Sequence, residues 1–234
     1  MRKSFIMTSN VKKYVSAMNR VMSCAPGIDR FVLVSGEVGQ GKTETAAWWR
    51  QSYGMGSVFV RVKKAMGPRW LLENIAGGLG LMPQKKSQRL FEQCVEALAG
   101  ADAALILDEI DYVADKVTLV ETIRDIGDVA GIAVVLVCMP WADERLRRYP
   151  ALMRRVSQRV AFRNLGYEDA EEAMREICEV AVSEGALRSI LGKRDGGLPV
   201  YMLYRWAQLC EAMAKKYGVD EVREEHLLKK GAKL

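Results

Sequence analysis

Histidine is almost missing from this chain: His226 is the one copy in 234 residues. A zinc site or a histidine proton relay is therefore not expected, and His226 itself reads as a surface residue. The five cysteines, Cys24, Cys94, Cys138, Cys178 and Cys210, are scattered without paired spacing. That excludes a disulfide framework and suits reduced core thiols in a cytoplasm. No apolar stretch approaches the roughly 18 residues of a membrane helix, and the N-terminus MRKSFIMTSN has no apolar signal core. A soluble, non-exported protein is expected. Internal repeats and low-complexity segments are absent too. What remains is half apolar and long enough for one large domain, or one plus a small one.

The charge is modest, +6 overall, but unevenly placed. Lys63-Lys64 with Arg69, Lys85-Lys86 with Arg89, Arg145 with Arg147-Arg148, Arg154-Arg155 and the tail Lys229-Lys230-Lys233 form short basic clusters near the ends of expected elements. Clusters of this kind suit phosphates, of a nucleotide or of a nucleic acid.

Residues 36–43 read GEVGQGKT, after the apolar run Phe31-Val32-Leu33-Val34 and before a helix-compatible stretch from Thr43 to Gln51. This is a complete phosphate-binding loop between a strand and a helix. Gly36, Gly39 and Gly41 permit backbone conformations that turn successive amide N–H groups inward. Lys42 adds a point charge for the outer phosphates, and Thr43 a hydroxyl ligand for Mg²⁺. The expected nucleotide-binding set is Gly36, Glu37, Val38, Gly39, Gln40, Gly41, Lys42, Thr43 and Glu44, with ATP and Mg²⁺ as the cofactors.

Ala103-Ala104-Leu105-Ile106-Leu107 is a continuous apolar run of the kind a buried parallel strand needs, and it ends in Asp108-Glu109. This is a Walker B strand. Asp108 suits Mg²⁺, a hard cation that prefers carboxylate oxygen. Glu109 can orient and deprotonate an attacking water, which favours hydrolysis over phosphate transfer to another acceptor. Asp111 reads as a cap or surface acid.

Read coarsely, a helix over Asn10 to Cys24 stops at Pro26-Gly27, and strands and helices then alternate. The expected strands are Phe31–Ser35, Ser57–Val62, the Walker B run, Ile132–Val137 and Gln158–Arg163. The expected helices are Pro68–Leu79, Ser87–Ala99, Lys116–Ala130 and a short one over Leu146–Val156. Strands joined by right-handed helical crossovers mean an α/β fold with a five-stranded parallel sheet covered on both faces. Beyond Leu165 the pattern becomes helices only: Glu168–Gly185, a shorter one to Lys193, Val200–Tyr217 and Val219–Leu228. The expected division is an α/β domain over 1–165, with a helical linker at 1–30, and a helical lid over 166–234.

This arrangement resembles the AAA+ ATPases over nearly the whole chain. The segment Glu121 to Asp128, the strand Gly131 to Val137 and Cys138-Met139-Pro140 look like those of the DNA-transposition ATPases, the type of phage Mu transposition protein B, TniB, TnsC and IstB. That resemblance implies an ATPase whose ATP-loaded subunits assemble on double-stranded DNA as filaments or rings, capture target DNA and stimulate a transposase. It also implies a mobile-element or phage protein in a bacterial cytoplasm. Carried over residue by residue, Leu152-Met153-Arg154-Arg155-Val156 matches the stretch with the arginine finger, so Arg155 is the first candidate and Arg154 the second. DNA contacts would fall to Lys63, Lys64, Lys85, Lys86 and Arg89, through backbone phosphates and without base readout.

The chain departs from the family at two places. The polar sensor at the end of the fourth strand falls at Cys138-Met139, neither a good water-positioning group. The second sensor, an arginine after a Gly-x-Leu turn, would fall near Gly196-Gly197-Leu198, where Pro199 follows and Arg205 lies about two turns on. Both suit ATP as an assembly switch with slow turnover. Two alternatives stay open beside the transposition regulator: another AAA+ machine, such as a helicase loader, initiator or secretion-type ATPase that remodels a protein, and a P-loop phosphotransferase or non-hydrolysing signalling module.

Overall fold

The computed structural model describes residues 2, 4–24, 29–100, 102–192 and 197–228. They fall into two compact units. One comprises Lys13–Glu37 and Lys42–Phe162, the other Met1–Lys12, Val38–Gly41 and Arg163–Leu234. Helix α1 (Ser9–Ser23) contributes its first turn to the second unit and the rest to the first.

In the first unit the chain runs β1 (Phe31–Ser35), α2 (Lys42–Ser52), β2 (Val58–Arg61), α3 (Pro68–Gly78), α4 (Ser87–Leu98), β3 (Ala104–Asp108), a 3-10 turn (Ile110–Val113) and α5 (Val117–Ala130). Strand β4 (Ala133–Cys138), α6 (Pro140–Leu146), α7 (Pro150–Met153) and β5 (Val156–Ala161) complete it. All pairings are parallel, in the order β2-β3-β4-β1-β5. The α/β reading with a five-stranded parallel sheet therefore holds.

Side chains alternate across a pleated strand, so unbroken apolar runs need cover on both faces. Leu33, Leu105, Leu107 and Leu136 pack with α3, α4 and α5, whereas Val32, Val34, Ile106 and Val135 pack with Tyr14, Met18 and Val21 of α1 and with Ala46 and Trp49 of α2. Each such fully buried branched side chain contributes roughly 1.5–3 kcal/mol. Helix α5 comes especially close to the sheet: a Cβ on Gly127 would lie 2.5 Å from the Phe31 ring and 3.0 Å from Val134. Strand β5, at the sheet edge, exposes Ser157 and Arg159 instead of repeating the apolar run.

Several boundaries move. The fifth strand starts two residues earlier than expected, at Val156, because its pairing with Phe31 sets the register. The short helix expected over Leu146–Val156 shrinks to α7 at Pro150–Met153, and α6, opened by Pro140 at its first turn, ends at Leu146.

The second unit holds α8 (Tyr167–Ile177), β6 (Ala181–Val182), α9 (Glu184–Leu191), α10 (Val200–Tyr217), β7 (Glu221–Val222) and α11 (Glu224–Leu228). The expectation of helices only is thus corrected. Helix α8 ends at Ile177, not Gly185, and β6 pairs in parallel with β7. Val180 and Val182 favour extended backbone there, and Ser183 accepts the Ala186 N–H to cap the next helix. His226 is also corrected. It is buried, its Nδ1 accepts the Arg223 N–H at 2.9 Å, and its ring stacks on Tyr217. The N-terminal segment belongs here: Ile6 joins this core, Ser9 donates to Asp169, and Asn10 exchanges two hydrogen bonds with the Arg163 backbone. Pro26-Gly27, Lys193, Gly196 and the tail Lys229-Lys230-Lys233 lie outside the described residues.

Candidate functional site: a phosphate loop and an acidic strand end

The order β3-β4-β1 sets the carboxyl ends of three strands side by side, and Ser35, last of β1, pairs with Cys138, last of β4. Ligands of open parallel sheets bind at such carboxyl ends. The loop that leaves β1 carries Gly39 at φ +79° and Gly41 at φ +89°, backbone that only glycine adopts without strain. It ends at Lys42, the first residue of α2. The loop tip packs within the second unit. Gly39 O accepts the Tyr201 N–H at 3.2 Å, Gln40 donates to Asn164 at 3.1 Å, and a Cβ on Gly39 would meet the Tyr201 ring at 2.1 Å.

The Lys42 ammonium donates to Gly36 O and, at 2.9 Å, to Glu37 O. Burial pulls its pKa below the ordinary lysine value, and Asp111, Asp108 and Glu37 oppose that shift. Glu37 and Val38 are exposed at the tip, Thr43 is half-buried, and Glu44 is exposed on α2.

Asp108 is almost completely buried, and its Oδ2 has no hydrogen-bond partner. A buried carboxylate oxygen left over in this way suits a hard cation. Glu109 follows at φ 59°, ψ 38°, the one non-glycine residue with positive φ among those described. Left-handed backbone costs an L-residue about 1–2 kcal/mol.

Two residues not picked out by sequence belong here. Arg61, last of β2, lies 3.7 Å from Asp108 Oδ2 and 3.9 Å from Glu109 Oε1. The register that pairs Arg61 with Asp108 brings it there. Asp111 is not a surface acid. It is half-buried, accepts the Met139 N–H, and lies close enough to Lys42 and Asp108 to interact with both. Burial raises its carboxyl above the ordinary aspartate range, while the Met139 N–H and Lys42 act in the opposite direction. Cys138 is buried and its thiol is pushed up to about 12, so it stays protonated. Met139 Sδ lies 3.9 Å from the Lys42 ammonium.

The expected finger residues differ from one another. Arg155 is tied to Asp128 and donates to Ala151 O, whereas Arg154 is exposed and makes no ion pair among the described residues. Arg205 is exposed on α10, after Pro199 at the helix start. Lys63, Lys64, Lys85 and Lys86 are exposed, and Arg89 pairs with Glu92.

A family model described as the AAA domain matches residues 28–146, half of the chain. The chain belongs to the AAA domain family. No curated protein sequence matches it. Among solved structures this AAA domain chain is similar to the Aeropyrum pernix Orc2 protein with ADPNP and ADP, at TM-score 0.70 and 17% identity over 97% of this chain and 70% of that one. It is also similar to the Aeropyrum pernix Orc1 protein in complex with DNA, at TM-score 0.62 and 15% identity over 94% of this chain and 63% of that one. Cdc6p from Pyrobaculum aerophilum gives TM-score 0.61 and 16% identity over 97% and 68%. At these identities the likeness is one of fold, and the chain spans about two thirds of each of these proteins. No helix among the described residues of this AAA domain chain is long and apolar enough to cross a membrane.

Proposed function

We propose that this chain is a Mg²⁺-dependent ATPase that uses ATP to switch its own assembly on double-stranded DNA, with slow turnover. The observation that carries the ATPase reading is the pairing of the glycine loop and Lys42 with the strand end Asp108-Glu109. Gly36 to Glu44 bind the phosphates. Thr43 and Asp108 hold Mg²⁺, which when bound neutralises phosphate charge. Glu109 orients the attacking water and accepts its proton, and Arg61 beside it holds that carboxylate in place until the charge of the site changes. Asp111 fixes the turn at Met139 that faces Lys42. The α/β part over 1–165 carries this chemistry, and the helical part over 166–234 acts as the lid.

An arginine from a neighbouring copy stabilises charge on the transferring phosphoryl group, so hydrolysis depends on assembly. Arg154, exposed and without an ion pair among the described residues, suits that role better than Arg155. A protonated thiol and a thioether at Cys138-Met139 position water poorly, which supports slow hydrolysis.

The DNA reading rests on the exposed lysines 63, 64, 85 and 86, with Arg89 beside them, and on the Orc1 protein of similar fold having been solved in complex with DNA. The finer assignment, a transposition regulator that captures target DNA and stimulates a transposase in a bacterial cytoplasm, rests on the likeness of Glu121–Asp128 and Cys138-Met139-Pro140 to that family. The likeness in fold to Orc and Cdc6 proteins favours a second reading, an initiator or loader that acts on a protein partner. ATP-dependent affinity for a duplex of arbitrary sequence, abolished in Lys42→Ala, is the expected result. Affinity indifferent to ATP would contradict the switch.

A further inference from the structure

Around the start of α3 the sequence sets a tryptophan among cations. Trp70 is 38% exposed, and the Lys63 ammonium lies over its ring, 5.6 Å from the centroid. Two other basic side chains are spent on fixing the surrounding backbone. Arg69 donates to Lys85 O at 2.8 Å, Gln84 O at 3.3 Å and Ser87 Oγ at 3.3 Å, and pairs with Glu73, so it binds the loop before α4 to the start of α3. Lys116 donates to Lys64 O at 2.6 Å and Met66 O at 3.0 Å, which fixes the loop after β2. The result is two loops held in place by internal bonds. Lys63, Lys64, Lys85 and Lys86 project from them exposed and, among the described residues, without an ion-pair partner.

Unpaired ammonium groups on a preordered backbone suit phosphates. They do not account for an exposed indole under the Lys63 ammonium, beside the Arg69 that holds the second loop, which costs free energy in water and adds nothing to a phosphate contact. An aromatic face flanked by phosphate-binding lysines is the arrangement that holds an unstacked base while the backbone tracks past. In an intact duplex the base faces are covered by their neighbours, so a ring can stack only where bases are unpaired.

We infer that Trp70 is a base-stacking platform, so that beside the duplex backbone this surface holds single-stranded DNA or unpaired bases within a duplex. Lys63 moves from the ring to a phosphate when a base takes its place, so the cation–π contact is exchanged for stacking plus a charge pair. The inference rests on the DNA-binding reading above and extends it to unpaired bases.

The test is fluorescence anisotropy with a labelled oligothymidylate of about 20 nucleotides, longer than a typical single-strand site, and with a duplex of equal length. Wild type is compared with Trp70→Ala, Trp70→Phe and a variant with Lys63, Lys64, Lys85 and Lys86 all changed to Ala. Stacking predicts a loss of about 5- to 100-fold for Trp70→Ala on the single strand, with the salt dependence unchanged. The duplex loses less than about threefold, and Trp70→Phe, which keeps a ring, retains most of the affinity. The lysine variant weakens both forms and flattens the salt dependence. Equal losses on both DNA forms, or none on the single strand, would overturn the inference while leaving DNA binding intact. Failure of wild type to bind either form would overturn the DNA reading, and this inference with it.

Discussion

The Asp111 carboxylate accepts the backbone N–H of Met139, tying the residue three beyond Asp108 to the turn that leaves β4. Burial raises the Asp111 pKa, so ionised Asp111 costs stability in the folded chain. A carboxyl with a raised folded pKa favours folding fully only below its unfolded value near 4, and that contribution is lost as pH rises through the folded value. Asp111→Asn keeps an acceptor for Met139 without the charge. It is predicted to be as stable as wild type or more so at pH 7, with the difference shrinking towards pH 4, in urea unfolding at both pH values. Asp111→Ala leaves the Met139 N–H without its partner and should lose about 1–3 kcal/mol.

Glu109→Gln keeps the shape of the side chain but cannot accept a proton. Hydrolysis should fall roughly 10²- to 10⁴-fold with nucleotide affinity retained, so that ATP-loaded assemblies accumulate. Lys42→Ala should bind ATP poorly and not assemble. Equal assembly by the two variants, in sedimentation with ATP, would refute the switch.

Arg154 and Arg155 separate by readout. Arg155→Ala breaks the pair with Asp128 and should lower stability by up to about 1 kcal/mol. Arg154→Ala should leave the melting temperature unchanged and reduce ATPase activity at least roughly tenfold, with activity regained on mixing with Glu109→Gln subunits that supply Arg154 in trans. If activity instead falls only with Arg155→Ala, the finger is Arg155.

Gly127→Ala would force a methyl group to within 2.5 Å of the Phe31 ring. Overpacking at this helix–sheet contact should cost about 1–3 kcal/mol, read as a drop in melting temperature with ATPase activity at 25 °C little changed.

The phosphate loop and the acidic strand end are legible in the sequence because their chemistry is local: glycines, a lysine and a threonine within eight residues, and two acids after an apolar run. The sheet is legible for the same reason, since Ala104–Asp108 and Ala133–Cys138 must be covered on both faces. What depends on pairing is not legible. Arg61 reaches Asp108 only because β2 lies beside β3 in one register. Asp111 gains its role from Met139, 28 residues away. The end of α8 at Ile177 follows from β6 pairing with Glu221-Val222, and His226 is drawn inward by Arg223 and Tyr217. Trp70 reads as one more helix residue until Lys63 is seen over its ring and its neighbour Arg69 is seen to hold the loop that carries Lys85.

Whether ATP switches assembly on DNA is decided by sedimentation and negative-stain microscopy of the pure chain with a generic duplex, with and without ATP, at low and moderate salt. Large assemblies on DNA of any sequence that require ATP and weaken steeply with salt are expected; extended filaments would favour the transposition reading. Monomers or small rings indifferent to both ATP and DNA would contradict the switch.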